Sequence, residues 1–250
     1  MFEKVQSGDA PAVDMPKLDR QAFYDVVQSR RSVRIYARGV EIAEDVVQRC
    51  AQAAQLAPNS SNLQCWELYH VRDPELHERL VKACLSQPAA STATALFVFV
   101  ARPDLWRRNN QWTLEEFDRR GDMPQRAYQY FTKITRIAYT QGAFAWVKRL
   151  WFPARGWFKP TPREPIGWSD MRVWAHKSTA LAAAHFMLAM RAEGFDTCPM
   201  EGMDSKRVKA MLELPPRAEV CMVVSAGKRT EKGVYGPRFR FPMKDFLKIR

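Results

Sequence analysis

The sequence predicts one domain of mixed helices and strands that carries an insertion, and three observations carry this. Two short, unbroken apolar runs, Leu96–Val100 and Val220–Ala226, read as buried strands. Stretches with apolar residues at helical spacing lie on both sides of them. Between Arg102 and Asp170 the composition changes: six of the eight tryptophans (106, 112, 146, 151, 157 and 168) fall there.

In chain order, residues 18–30 place Phe23, Val26 and Val27 on one helical face. Ile42–Gln55 does the same with Val46, Val47, Cys50 and Ala54. Pro58–Asn62 is a cluster of turn-forming residues. Trp66–Val71 reads as a short strand, and Pro74–Cys84 as a helix opened by Pro-Glu. Ala83–Ala101 is the longest uncharged run, but Ser86, Gln87, Pro88, Ser91, Thr92 and Thr94 make it a poor membrane span. It reads as a loop feeding the first buried strand. Trp174–Arg191 is a long Ala- and Leu-rich helix, stopped by Gly194. There is no internal repeat and no Gly/Ser linker.

Composition excludes several classes. With 250 residues, 46% of them apolar and 12% aromatic, the chain is long enough for a full core and too apolar for a solvated coil. Five cysteines (Cys50, Cys65, Cys84, Cys198, Cys221), an odd number without a C-x-x-C pair, speak against a disulfide framework and a structural zinc. They suit a reducing compartment such as the cytoplasm, and Met1–Pro16 shows no secretory pattern. His70, His77, His176 and His185 have no metal-ligand spacing, and no metal site is expected. A net charge of +12 calls for an anionic ligand, nucleic acid or an anionic membrane surface.

Four segments suggest chemistry. Arg30-Arg31-Ser32-Val33-Arg34 offers guanidinium forks and a hydroxyl that match phosphate oxygens. Pro58-Asn59-Ser60-Ser61-Asn62-Leu63-Gln64-Cys65-Trp66 presents short polar side chains suited to the edge of a flat heterocycle. Gly194–Gly202 follows a helix, and its Pro and Gly would hold a backbone shape in which Glu201 and Gly202 present main-chain N–H groups to a ligand. Gly236–Pro242 would point Arg238 and Arg240 the same way if extended. Each segment alone also reads as a plain charged helix end, loop, turn or edge.

Together and in this order, the four segments resemble the nitroreductase family of flavin-dependent oxidoreductases. The resemblance covers about residues 18–101 and 172–242. It departs at Cys65, where the family commonly has proline, and at Asn59, where it commonly has serine. It implies an α+β fold, a mostly antiparallel central sheet flanked by helices, in an intertwined homodimer. It also implies an FMN site. Arg30, Ser32, Arg238 and Arg240 would hold the phosphate, with Arg31 also among the cofactor-binding residues and Arg34 near the pyrimidine side of the ring. Pro58, Asn59, Ser60 and Asn62 would line the ring across the dimer interface. Met200, Glu201 and Gly202 would sit over flavin N5, with Pro199 also among the cofactor-binding residues, and Gln87 at the pyrimidine edge. The implied activity is electron transfer from NADH or NADPH to a small-molecule acceptor such as a nitroaromatic or quinone, by a ping-pong mechanism. A flavin does the redox chemistry itself, which fits the lack of any Ser/His/Asp set. The alternative is a flavin-binding or membrane-surface protein without turnover.

The insertion, about residues 103–170, lies outside the resemblance. From Met123 to Arg163 it holds eight basic residues, no acidic one and ten aromatics. Part of the aromatics is expected to pack on the domain or its dimer mate, with the lysines and arginines facing out. A lid over the site or an arm around a partner subunit is the preferred reading. A membrane surface stays open as the other, and nucleic acid ranks last because no nucleic-acid motif appears.

Overall fold

A computed structural model describes residues 15–250. The reading that Met1–Pro16 lacks a secretory pattern falls, as far as residue 14, outside them.

Helix α1 (Arg20–Ser29) starts at Asp19, whose carboxylate accepts the N–H groups of Gln21 and Ala22 at 2.9 and 3.1 Å. Helix α2 (Glu44–Gln55) opens with two acids that favour a helix N-terminus. Strand β1 (Trp66–Val71) follows, then α3 (Pro74–Ala83), capped by Asp73 and opened by proline. A single helical turn, α4 (Pro88–Ser91), leads into β2 (Ala95–Ala101). Four helices come next: α5 (Trp106–Arg120), α6 (Gln125–Gln129), α7 (Thr135–Tyr139) and α8 (Ala143–Gly156). The last part of the chain is α9 (Trp168–Ala192), β3 (Asp196–Met200), α10 (Ser205–Met211) and β4 (Glu219–Gly227).

Among the described residues the four strands form one antiparallel sheet in the order β1-β2-β4-β3. Its centre is β2, buried along its whole length. That explains the unbroken apolar run: alternate residues feed different cores. Phe97 and Phe99 face α2 and α9, where both meet Phe186 edge-on at ring distances of 4.8 and 5.5 Å. Leu96, Val98 and Val100 face the other way, onto α3, α4 and α10. The fold is therefore α+β, a sheet between two helical layers, as the resemblance implied.

A third apolar cluster fastens the 103–170 segment to the rest. Leu63, Cys65 and Ala101 pack there against Trp106, Tyr139, Met171 and Trp174.

Four expectations need correction. The long helix begins at Trp168, not Trp174, because Asp170 accepts the N–H groups of Ile166 and Gly167 at 2.8 and 2.9 Å and starts it earlier. The supposed loop after Ala83 contains α4. The supposed turn at Gly194–Gly202 is largely strand β3, which pairs with β4 from Asp196↔Gly227 to Met200↔Val223. The fourth correction concerns α8. Its lysine, Lys148, is buried, while Trp146, Leu150 and Trp151 face solvent. Among the described residues no helix is long and apolar enough to cross a membrane.

Candidate functional site

The sheet edge at β3 does not end in solvent. Ser32 bridges Thr197 in parallel, and the Val33 N–H donates to the Thr197 carbonyl at 3.1 Å. The Arg30–Arg34 segment thus lies along β3, with Val33 fully buried as its anchor. From the other side the chain after β4 folds back, and the Arg34 N–H donates to the Gly233 carbonyl at 2.7 Å. This close approach needs glycine: a Cβ on Gly233 would meet the Ile35 carbonyl oxygen at 2.6 Å.

Two stretches two hundred residues apart are thereby brought together. Arg30, Arg31, Ser32 and Arg34 line a cavity of about 160 Å³ with Tyr235, Arg238 and Arg240. Arg238 reaches back to the Gln28 and Arg30 carbonyls, and Arg31 to the Gly236 carbonyl. Arg34 lies over the Tyr235 ring at 5.1 Å. Among the described residues the Arg31, Arg238 and Arg240 guanidinium groups bond to backbone carbonyls, and no carboxylate forms an ion pair with any of the five arginines. Burial, with Arg238 and Arg240 nearby, holds the Arg30 guanidinium below its ordinary pKa. A cavity lined by mutually repelling cations and a hydroxyl fits a phosphate, whose charge would relieve them.

Sequence reasoning missed the network under this cavity. The carboxylate of Asp196, on β3, is 2% exposed and is held by two arginines. Arg191 Nη1 donates to it at 3.2 Å and Arg229 Nε at 2.6 Å, with a further contact from Arg229 Nη2. The same arginines hold the end of α1: Arg191 Nε donates to Ser29 Oγ at 2.9 Å, and Arg229 Nη2 to the Ser29 carbonyl at 3.1 Å. Asp196 therefore raises the pKa of Arg229 and fixes the residue just before Arg30. The available signal was an aspartate on a buried strand with two arginines within reach of its ends.

The Pro58–Asn62 loop stands elsewhere. None of Pro58, Asn59, Ser60 and Asn62 lines the arginine cavity. The loop is strained: Ser61, Asn62 and Gln64 adopt left-handed φ values of 57°, 49° and 47°. Outside partners hold it there. Ser61 Oγ meets the hydroxyls of Tyr130 and Tyr139, both at 2.7 Å, and Ser60 Oγ meets Tyr139 at 3.1 Å. Asn59 Oδ1 accepts the Gln64 N–H at 2.8 Å, and Asn109 Nδ2 donates to the Leu63 carbonyl at 2.7 Å. Tyr130, Tyr139 and Asn109 all belong to the 103–170 segment, so that segment shapes the loop. Asn59 thus acts as a backbone clamp inside the loop.

Gln87 meets the third motif. Its Nε2 donates to the carbonyls of Cys84 and Gly202 at 3.0 and 3.1 Å, which ties the turn after β3 to the start of α4. Pro199 is half-buried and Met200 is buried in the strand, while Glu201 and Gly202 are exposed beyond it. Cys198 is buried on β3 within electrostatic range of Arg30 and Arg34. Burial raises its thiol pKa, which suits a packing residue and not a reactive thiolate. A cavity of about 440 Å³ is lined by residues of the 103–170 segment, and one of about 340 Å³ by that segment together with Arg217.

Comparison with known proteins gives one consistent result. The family model described as the nitroreductase family matches residues 27–228. An NADH dehydrogenase of Thermus thermophilus is 27% identical over 230 residues, which is 92% of this chain and 95% of that protein. The crystal structure of ydfN from Bacillus subtilis aligns with a TM-score of 0.76 and 23% identity, over 93% of this chain and all of that one. A crystal structure from Exiguobacterium sibiricum, solved in complex with FMN, aligns with a TM-score of 0.68 and 22% identity, over 95% of this chain and all of that one.

Proposed function

The chain belongs to the nitroreductase family of FMN-dependent NAD(P)H oxidoreductases, and on that premise we propose that it passes electrons from NADH or NADPH to a small-molecule acceptor, a nitroaromatic or quinone, in a ping-pong cycle. The observation that carries the site assignment is the arginine cavity on the β3 edge. Arg30, Arg31, Ser32, Arg238 and Arg240 hold the FMN phosphate, and Arg34 serves the pyrimidine side of the ring. The chemistry that FMN supplies when bound is hydride uptake from the nicotinamide and electron release to the acceptor.

This chain's residues bind and orient. The end of β3 at Pro199 and Met200 leads into the Glu201–Gly202 turn, which Gln87 holds and which offers main-chain N–H groups at the reacting edge of the ring. Pro58, Asn59, Ser60 and Asn62 complete the site from a second subunit. Their absence from the arginine cavity of their own chain supports that arrangement. Helix α1 supports it too, since Phe23, Tyr24 and Val27 are exposed in the single chain and α1 buries none of its residues there. Covering such a face is what a homodimer interface does. The name of the Thermus relative supports NADH as donor, and the Exiguobacterium complex supports FMN. The whole chain forms one flavin-binding unit, with residues 103–170 as its elaboration. Its five free cysteines suit the reducing cytoplasm.

The test is anaerobic mixing of the purified protein with NADH or NADPH. Flavin absorbance that bleaches, and returns when a quinone is added, supports the enzyme. A yellow protein that neither donor bleaches is a flavin carrier and overturns the proposal.

A further inference from the structure

Helix α8 is built inside out for a helix that faces water. On its inner side Lys148 is 1% exposed, and its Nζ donates to the carbonyls of Ala138 and Pro165 at 2.8 and 3.3 Å. Burial lowers the pKa of this ammonium. On the outer side Trp146, Val147, Leu150 and Trp151 form an apolar face at helical spacing, with Trp146 67% and Leu150 75% exposed. Trp157, just past the helix end, is 84% exposed. Arginines flank this face. Arg149 lies over the Trp146 ring at 5.7 Å and Arg155 over the Trp151 ring at 5.3 Å.

We propose that the outer face of α8 seats the protein on an anionic lipid surface. An amphipathic helix lying in the headgroup region buries an apolar face of tryptophan and leucine while flanking cations meet lipid phosphates. Tryptophan is the residue that favours that boundary. Charge selects the occupant. Residues 123–163 hold eight basic residues and no acidic one, within a chain of net charge +12. A second copy docking through the same face would set two such basic segments against each other, whereas an anionic bilayer would neutralise both rim arginines. The proposal does not depend on the flavin reading, since no member of the arginine cavity lies in this helix.

The test is co-sedimentation of the full chain with vesicles of phosphatidylcholine alone, or with about a third phosphatidylglycerol, at low and at high salt. The protein is expected to partition onto the anionic vesicles at low salt and to leave them as salt rises. The triple variant Trp146→Ser, Leu150→Ser, Trp151→Ser should lower partitioning more than about a hundredfold. Its melting temperature and flavin content should match the parent, because these side chains touch solvent. Arg149→Gln with Arg155→Gln should weaken binding roughly tenfold. As a readout without variants, lipids brominated on the upper acyl chain should quench tryptophan fluorescence of the wild-type protein. Failure of the wild type to bind anionic vesicles at low salt, or undiminished binding by the triple variant, overturns the proposal. So does a triple variant that sediments as a monomer where the wild type is a dimer, since the face is then a subunit interface.

Discussion

Removing the carboxylate of Asp196 tests whether the buried ion network, and not the surface arginines alone, builds the proposed phosphate site. Asp196 receives three charge-assisted bonds, two from Arg229 and one from Arg191. Each such bond is worth about 1.5–3 kcal/mol when its partner is fully desolvated. Here the arginine side chains are 26% and 34% exposed and regain water when the carboxylate goes, so the sum is cut by more than half. About 3 kcal/mol remains for Asp196→Ala, at the low end of the cost of breaking a buried pair. For a chain of this length that corresponds to a fall of roughly 6–12 °C in Tm. Asp196→Asn keeps one acceptor oxygen and should lose about 2 kcal/mol. Both arginines also hold Ser29, so the end of α1 should loosen and flavin retention should fall at least about tenfold. Differential scanning fluorimetry and the flavin-to-protein absorbance ratio read the two effects. In the double variant Asp196→Ala, Arg229→Ala the losses should be less than additive, because one interaction is removed twice. An Asp196→Ala protein that melts within about 2 °C of wild type with full flavin would refute the reasoning.

Three further outcomes are expected. Arg238→Ala with Arg240→Ala should lower FMN affinity at least about tenfold while the fold persists, since charged hydrogen bonds carry about 1.5–3 kcal/mol each, and a variant purified with full flavin would remove these residues from the site. Tyr139→Phe takes away the hydroxyl shared by Ser60 and Ser61, and should cost about 1–2 kcal/mol and increase hydrogen exchange across residues 59–65; unchanged exchange would show that the loop holds its left-handed residues unaided. Burial against Phe97 lowers the pKa of His70 below its ordinary 6.5, partly offset by Glu44, and burial lowers His77 likewise. The unfolded chain then binds more protons, so this stability is present above 6.5 and is lost as pH falls through the lower folded-state value. Urea midpoints measured on both sides of that pH should show a shallower acid limb for His70→Phe than for wild type, and an identical limb would rule the histidine out.

Periodicity and apolar runs determined the scaffold at the level of the sequence. Trp66–Val71 is a strand with the boundaries read from its residues, and Leu96–Val100 and Val220–Ala226 each extend by one or two residues at their ends. These are local properties: an apolar residue reports its own burial, and caps such as Asp19 and Asp73 act within one turn. The family resemblance rested on short segments whose residue types were visible in order along the chain. Tertiary structure alone decided how those segments meet. Arg30 and Arg238 share a cavity because β3 pairs with β4, Ser32 bridges Thr197, and Gly233 lets the returning chain come close. Asp196 matters because two arginines converge on its buried carboxylate, a fact of burial that no spacing encodes. Composition marked residues 103–170 as unusual and had part of their aromatics packing on the domain, as Tyr139 and Phe152 do, but it placed Lys148 in solvent with the other cations. The carbonyls of Ala138 and Pro165, ten and seventeen residues from Lys148, reverse that assignment by giving the ammonium partners inside. The outer face of α8 is left apolar as a result, and the contacts of Tyr130 and Tyr139 with Ser61 make the same segment the support of the Pro58–Asn62 loop.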